Sequence, residues 1–179
     1  MATLHHNISG ESTQVLLNDG DGVFVSKISL TNVQKVSKCK VDLYIEKQLT
    51  GKFYLLKGVE LPIGATLIYD DIKFNNNSGG FGLYIKLTDG ASFTLSNASP
   101  GDPYGINPTG ENTDVPGTGT LFLSELSVGD EIVVTGETRI ISSIISDTAA
   151  TVSVAWGSDL ANDTSPDCNP TALVDVIIN

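Results

Sequence analysis

Apolar and polar residues alternate with a period of two through most of this chain. In VFVSKISLTN, Phe24, Ser26, Ile28 and Leu30 fall on one face. In VDLYIE, Val41, Leu43 and Ile45 alternate with Asp42, Tyr44 and Glu46. In FGLYIKLTDG, Phe81, Leu83, Ile85 and Leu87 alternate with Gly82, Tyr84, Lys86 and Thr88. This in–out pattern marks antiparallel strands with one face on a core and the other in water. The densest run is VDLYIEKQLTGKFYLLKGVELPIGATLIYDD, from Val41 to Asp71. It holds three strand-like segments, VDLYIEK, KFYLLKGVEL and ATLIYDD. Turn residues at Thr50-Gly51 and at Pro62-Ile63-Gly64 separate them. No stretch of ten or more residues carries a 3.6-residue apolar stripe, so the pattern predicts an all-β protein with very little helix.

The alternation stops at SNASPGDPYGINPTGENTDVPGTG, residues 96–119, which has four Pro, five Gly and almost no aliphatic residues. Such a stretch reads as a linker or domain junction, placed at 98–119. Strands resume at EIVV, TRIISSII and TVSVAW, with turns at Val128-Gly129-Asp130, Thr135-Gly136-Glu137 and Ser146-Asp147-Thr148. Turns this closely spaced predict a small, strongly bent sheet or a barrel, forming a second, barrel-like β-domain over residues 120–169. The chain closes with ALVDVIIN, a clean alternating strand. The first segment is short of strands for a sandwich, so this last one is expected to return to it and complete its edge beside LYIKL. The expected division is residues 1–97 plus 170–179 as one β-sandwich, the linker, and 120–169 as an insertion.

Charge sharpens the division. The 179 residues carry a formal net charge of −11. Residues 1–86 hold nine Lys against eight Asp and Glu, whereas residues 87–179 hold Arg139 alone against thirteen. An acidic half of this kind disfavours binding to nucleic acid or to acidic membranes. The N-terminal MATLHHNISG has no basic region followed by an apolar run, and no segment approaches the length of a membrane span. A soluble protein made in the cytoplasm is expected. Cys39 and Cys168 are read as free thiols, being too few for a disulfide scaffold.

Candidate chemistry is thin. The two histidines, His5 and His6, sit together in an N-terminal arm, where a nucleophile–base pair or a zinc site lacks a rigid support. Asn18-Asp19-Gly20-Asp21-Gly22 resembles the start of a calcium loop, but Ser29 stands where its twelfth-position Glu belongs. Asp70 and Asp71 alternate in direction and cannot share one site. Asp159, Asp163 and Asp167 are read as solvated loop residues in preference to a weak calcium site. Trp156, at the end of VSVAW, is read as core packing in preference to a ligand platform. Lys35, Lys38 and Lys40 are read as a solvated strand end that discourages edge pairing. No catalytic, cofactor-binding or metal-ligating residue is assigned, and no cofactor is expected.

The run ISLTNVQ, KVDLYIEK, KFYLLKGVELPIGATLIYDD and FGLYIKL resembles small β-sandwich modules of virion structural proteins from tailed bacteriophages, especially cyanophages. The likeness covers roughly residues 23–87, with ALVDVIIN similar to the closing strand. FLSELSVGDEIVVTGETRIISSIISDTAATVSVAW resembles a second phage-associated β module. The resemblance implies an immunoglobulin-like antiparallel β-sandwich with an inserted small β-domain, and a non-enzymatic role in the virion. The resemblance names no position on the particle; the reading adopted is a capsid decoration (cement) protein, present in many copies or as a homo-oligomer on a symmetric lattice. Its partners would be the major capsid protein or neck and tail proteins, after assembly in the host cytoplasm. A neck, tail or fibre component is the alternative. A carbohydrate-binding or adhesin module, using loops 75–80 and 98–119, is another.

Overall fold

Residues 3–47, 49–76 and 80–179 are described by the structure, a computed structural model. Elements are numbered in chain order. The alternating segments form two four-stranded antiparallel sheets. One has the order β1 (Leu4–Ser9), β17 (Leu173–Ile178), β4 (Ile28–Asn32), β7 (Thr66–Tyr69). The other has the order β2 (Gln14–Leu17), β9 (Gly82–Thr88), β5 (Cys39–Lys47), β6 (Gly51–Leu61). A two-stranded ribbon, β3 (Phe24–Val25) with β8 (Phe74–Asn75), accompanies them. The inward residues of both sheets form one core: Ile28 and Leu30, Val174, Val176 and Ile178, Val41 and Leu43, Leu83, Ile85 and Leu87. This is an all-β sandwich, and its strands follow the period-2 pattern because each has one dry and one wet face.

The chain divides into two compact units, residues 1–90 with 172–179, and residues 91–171. Two aspartates mark the return. Ala172 N–H bonds Asp89 Oδ1 of the first unit at 2.7 Å, while the neighbouring Thr171 N–H bonds Asp130 Oδ1 of the second at 2.9 Å. The last strand does not complete an edge beside β9. It lies inside the other sheet, with β1 on one side and β4 on the other. Strand β1 pairs with it over all six of its residues, so the N-terminal segment is a sheet edge and not a loose arm.

The second unit holds a seven-stranded arrangement. Its order is β10 (Phe93–Thr94), β16 (Asp167–Asn169), β13 (Glu131–Val134), β14 (Glu137–Ser146), β15 (Ala149–Val152), β12 (Asp114–Thr118), β11 (Gly105–Ile106). A single turn of helix, α1 (Phe122–Glu125), precedes β13. Strand β14 is shared between two partners. Its first half, Glu137–Ile140, pairs with β13, and its second half, from Ile141, pairs with β15. Register shifts between Ile141 and Ser143 and between Ile144 and Ser146 turn the strand. The barrel is not formed: among the described residues no pairing joins β10 to β11.

The linker expected at 98–119 is likewise absent. Those residues supply β11 and β12, and Ile106 and Val115 are fully buried in the second core beside Phe122, Ile132 and Trp156. The unit begins earlier still, because Phe93 pairs with Cys168 and Leu95 is buried. Glycine and proline here shape tight turns inside a packed unit; their abundance signals turning, which linkers and compact loops share.

Ile178 and Ile177 test the register of β17. Ile178 is 1% exposed and Ile177 37%. Replacing Ile178 by Ala is expected to lower stability by about 2–5 kcal/mol, and Ile177→Ala by less than ~1 kcal/mol, in chemical denaturation. A one-residue slip of the strand would reverse the two values.

Candidate functional site

Register, which the alternation alone does not specify, gathers the tyrosines. On the outer face of the second sheet, Val15 of β2 lies opposite Tyr84 of β9. Tyr84 lies opposite Tyr44 of β5, and Tyr44 opposite Tyr54 of β6. One row therefore crosses all four strands. Tyr44 stacks on Tyr84 with ring centroids 5.6 Å apart and planes 14° apart, and it meets Tyr54 at 5.4 Å in a tilted contact. Enclosed this way, Tyr44 is buried although it sits on the outward face, whereas Tyr54 stays half exposed. Aromatic cross-strand neighbours of this kind stiffen a sheet and carry a rigid, amphipathic surface.

Lysines from the edge strand cover the row. Lys52 Nζ lies 4.5 Å from the Tyr44 centroid and donates to its hydroxyl at 3.2 Å. Lys57 Nζ lies 4.3 Å from the Tyr54 centroid and bonds Asp42 Oδ2 at 2.5 Å. Two bulges in β6 bring this about by adding a residue on each side of Leu56. Gly58, at φ +60°, provides the left-handed backbone at one of them, and its N–H bonds Asp42 Oδ1 at 2.7 Å. Burial pushes the Asp42 carboxyl up, but the hydrogen bonds from Lys57 and Gly58 outweigh it and hold the group below its ordinary value. The hydrogen bond to Tyr44 raises Lys52, and the bond to Asp42 raises Lys57.

Beside the row opens a cleft of about 420 Å³ lined by Asp19, Glu46, Gly80 and Tyr84. The Tyr84 ring occupies the space a side chain at residue 82 would fill. A Cβ on Gly82 would meet ring atoms at 2.8–3.0 Å. Gly82 thus lets the ring lie along its own strand (an arrangement in which the aromatic side chain covers the glycine's bare backbone).

The sequence candidates scatter. Asp159 Oδ1 accepts Gly110 N–H, Asp163 accepts Thr135 N–H and Ser165 N–H, and Asp167 accepts the Thr94 hydroxyl, so each ties down a different piece of chain. Asp21 caps its own turn through Asn18 N–H. Asp70 and Asp71 follow the end of β7 and are exposed. Among the described residues no group of three or more His, Cys, Asp or Glu could hold a metal. Trp156 is 1% exposed, and its Nε1 donates to Asp114 O at 3.0 Å, which places it in the core as expected. Lys38 pairs with Glu60 at 2.8 Å, and Lys40 lies opposite Glu60 on the neighbouring strand. Cys39 and Cys168 are buried free thiols in different units. Burial, with Asp89 nearby, pushes Cys39 up to about 11, and burial beside Asp130 also raises Cys168. Of the loop at 75–80, Asn77, Ser78 and Gly79 lie outside the described residues. Asn76 is buried and anchored, accepting from Val23 N–H at 2.8 Å and donating to Asn18 O at 2.7 Å.

Two features escaped sequence reasoning. The tyrosine row had one visible signal, Tyr44 and Tyr84 at outward positions, but their adjacency depends on register. Asp130 read as a turn residue. It is fully buried and accepts Ser127 N–H at 2.7 Å as well as Thr171 N–H.

No protein-family model and no curated protein matches the chain. Among solved structures it is similar to the PBSX exported protein XepA, with a TM-score of 0.30 and 11% identity, over 99% of this chain and 86% of that one.

Gly82→Ala is expected to displace the Tyr84 ring without unfolding the strand. The near-UV circular dichroism of the tyrosines should change, with a stability loss of about 1–3 kcal/mol. His6 carries a separate pH prediction. Its Nε2 is buried without a hydrogen-bond partner among the described residues. Burial, then the neighbouring His5, lowers its pKa below 6.5. The unfolded chain therefore binds a proton before the folded one does, and stability present above about pH 6.5 is lost as the pH falls below it. Denaturation midpoints measured from pH 7.5 to 5 should decline, and His6→Leu should flatten that decline.

Proposed function

We propose that this chain is a non-enzymatic structural protein of a bacteriophage virion, and within the virion a capsid decoration (cement) protein. The observation that carries the reading is the segregation of charge between the two units. The first holds nine Lys against ten Asp and Glu; the second holds eleven Asp and Glu against Arg139. Arg139 is also spent internally. Its Nε donates to Ala155 O, its Nη1 to Thr138 O and its Nη2 to Glu137, and its guanidinium sits 5.6 Å from the Trp156 ring. Apart from Glu137, which Arg139 pairs, and the buried Asp130, the carboxylates of the second unit have no cation of that unit to offset them. Like charge of this density keeps copies apart and soluble when many are crowded on one particle.

The near-balanced first unit is the part suited to docking. Its edge strand β6 presents Phe53, 50% exposed, and Tyr54, 45% exposed, between lysines. Tyrosine is one of the side chains that dominate binding at protein interfaces, and phenylalanine is enriched in their cores. The bulges and lysines of β6 discourage strand-to-strand aggregation, leaving side-chain contact as the mode of attachment. Repetition over a symmetric shell lets weak single contacts add. The likeness of residues 23–87 to phage virion modules supports the same assignment.

Co-sedimentation with emptied capsids of the parent phage tests this. The intact protein is expected to pellet with capsids and to remain bound as salt is raised. Phe53→Ala with Tyr54→Ala should weaken binding by about tenfold or more. Pelleting with tails but not with capsids would move the protein to the tail, and pelleting with neither would remove it from the virion.

A further inference from the structure

We propose that the cleft lined by Asp19, Glu46, Gly80 and Tyr84 is a binding site for a neutral sugar, one or two rings of an uncharged glycan. The inference stands apart from the decoration reading, since it concerns the open side of β9 and β5 and not the edge at Phe53 and Tyr54.

Shape is the first ground. At about 420 Å³ the cleft falls within the range of small-ligand sites. Order is the second. Tyr84 is held before any ligand arrives, stacked on Tyr44 and seated over the bare backbone of Gly82. A ring fixed in advance loses little conformational entropy on binding. Its aromatic face suits the apolar C–H faces of a pyranose, as it suits other apolar groups.

The polar groups supply the third ground. The Asp19 carboxylate lines the cleft, with both oxygens 3.2–3.3 Å from where a Cβ on Gly80 would stand. Glu46 is half buried and ion-paired with Lys52 at 3.8 Å, a separation that leaves its oxygens able to accept hydrogen bonds from a ligand. Two carboxylates beside an aromatic ring accept hydroxyl protons through charge-assisted hydrogen bonds. Two lysines border the cleft: Lys52 Nζ faces Glu46 at 3.8 Å while donating to Tyr44, and Lys47 Cε lies, with the Asp19 carboxylate, about 3.3 Å from where a Cβ on Gly80 would stand. With Lys52 and Lys47 beside these two carboxylates, the cleft is close to electrical balance, which suits an uncharged sugar. The ligand surface is thus the sheet face and the loop after β2. The loop at 98–119 belongs to the second unit, and Trp156 is closed inside its core.

The test uses the full chain on an array of neutral hexose and N-acetylhexosamine oligosaccharides, followed by calorimetric titration of the best binder with and without EDTA. Saturable binding is expected, unchanged by EDTA. Tyr84→Ala should weaken it by about tenfold or more, Tyr84→Phe by less than about threefold, and Asp19→Asn and Glu46→Gln by several-fold each. Thermal unfolding of each variant establishes that the sandwich is intact, with Tyr84→Phe as the conservative control. Absence of saturable binding across the array overturns the site. So does binding that Tyr84→Ala leaves unchanged, or binding that EDTA abolishes, which would make the two carboxylates a cation site. Capsid co-sedimentation of the same variants is expected to be unaltered, so failure of one reading is visible without failure of the other.

Discussion

The two-sided pairing of β17 is the constraint on which this structure depends. The strand contributes Val174, Val176 and Ile178 to the core and is bonded along one edge to β1 and along the other to β4. A strand in that position cannot be omitted without opening the sheet down its middle. Its partners lie 140 residues and more away in the chain, so the first unit closes only when the second has been made and passed. The loop entropy of that closure grows slowly with length, which makes an insertion of 81 residues thermodynamically tolerable. Asp89 and Asp130 then hold the return point, each gripping one of two adjacent residues, Ala172 and Thr171.

With one sheet organised around β17, the other is free to specialise. Its inner face is aliphatic, and its outer face carries the row from Val15 through Tyr84 and Tyr44 to Tyr54. Enclosing Tyr44 makes this face stiff, and the lysines above it keep it wettable. The bulges in β6 serve two ends at once: they aim Lys57 at Asp42, and they spoil the strand's outer edge as a template for another chain. In the second unit the charge pattern does comparable work. Its single cation is consumed in bracing Trp156, and the outer surface is left to carboxylates.

Much of the fold was legible in advance because burial imposes a period on the chain. The inward sets Leu83–Ile85–Leu87, Val41–Leu43 and Val174–Val176–Ile178 could be read directly from alternation, and each lies in the core. Alternation failed where the backbone breaks step. Phe24 and Ile28 were placed on one face, yet Val25 is buried and Phe24 half exposed. The reason is local: the N–H groups of Ser26 and Lys27 both bond Asn179 O, which interrupts the strand between them. Residues 98–119 misled for a different reason. Glycine and proline report that a chain turns, and say nothing about whether Ile106 and Val115 among them are packed.

Local physics, then, was enough to determine an antiparallel β protein, its turns, its two-part organisation and the contrast in charge between the parts. These depend on residue type and on spacing along the chain. Tertiary structure alone decided that the last strand is interior and not at an edge, that the second unit is an open sheet and not a barrel, and that three tyrosines form one row. It also decided that Tyr84 stands in a cleft with Asp19 and Glu46. Each of these follows from the register and order of strands far apart in sequence, and a period of two is the same for every register that keeps the apolar residues inside.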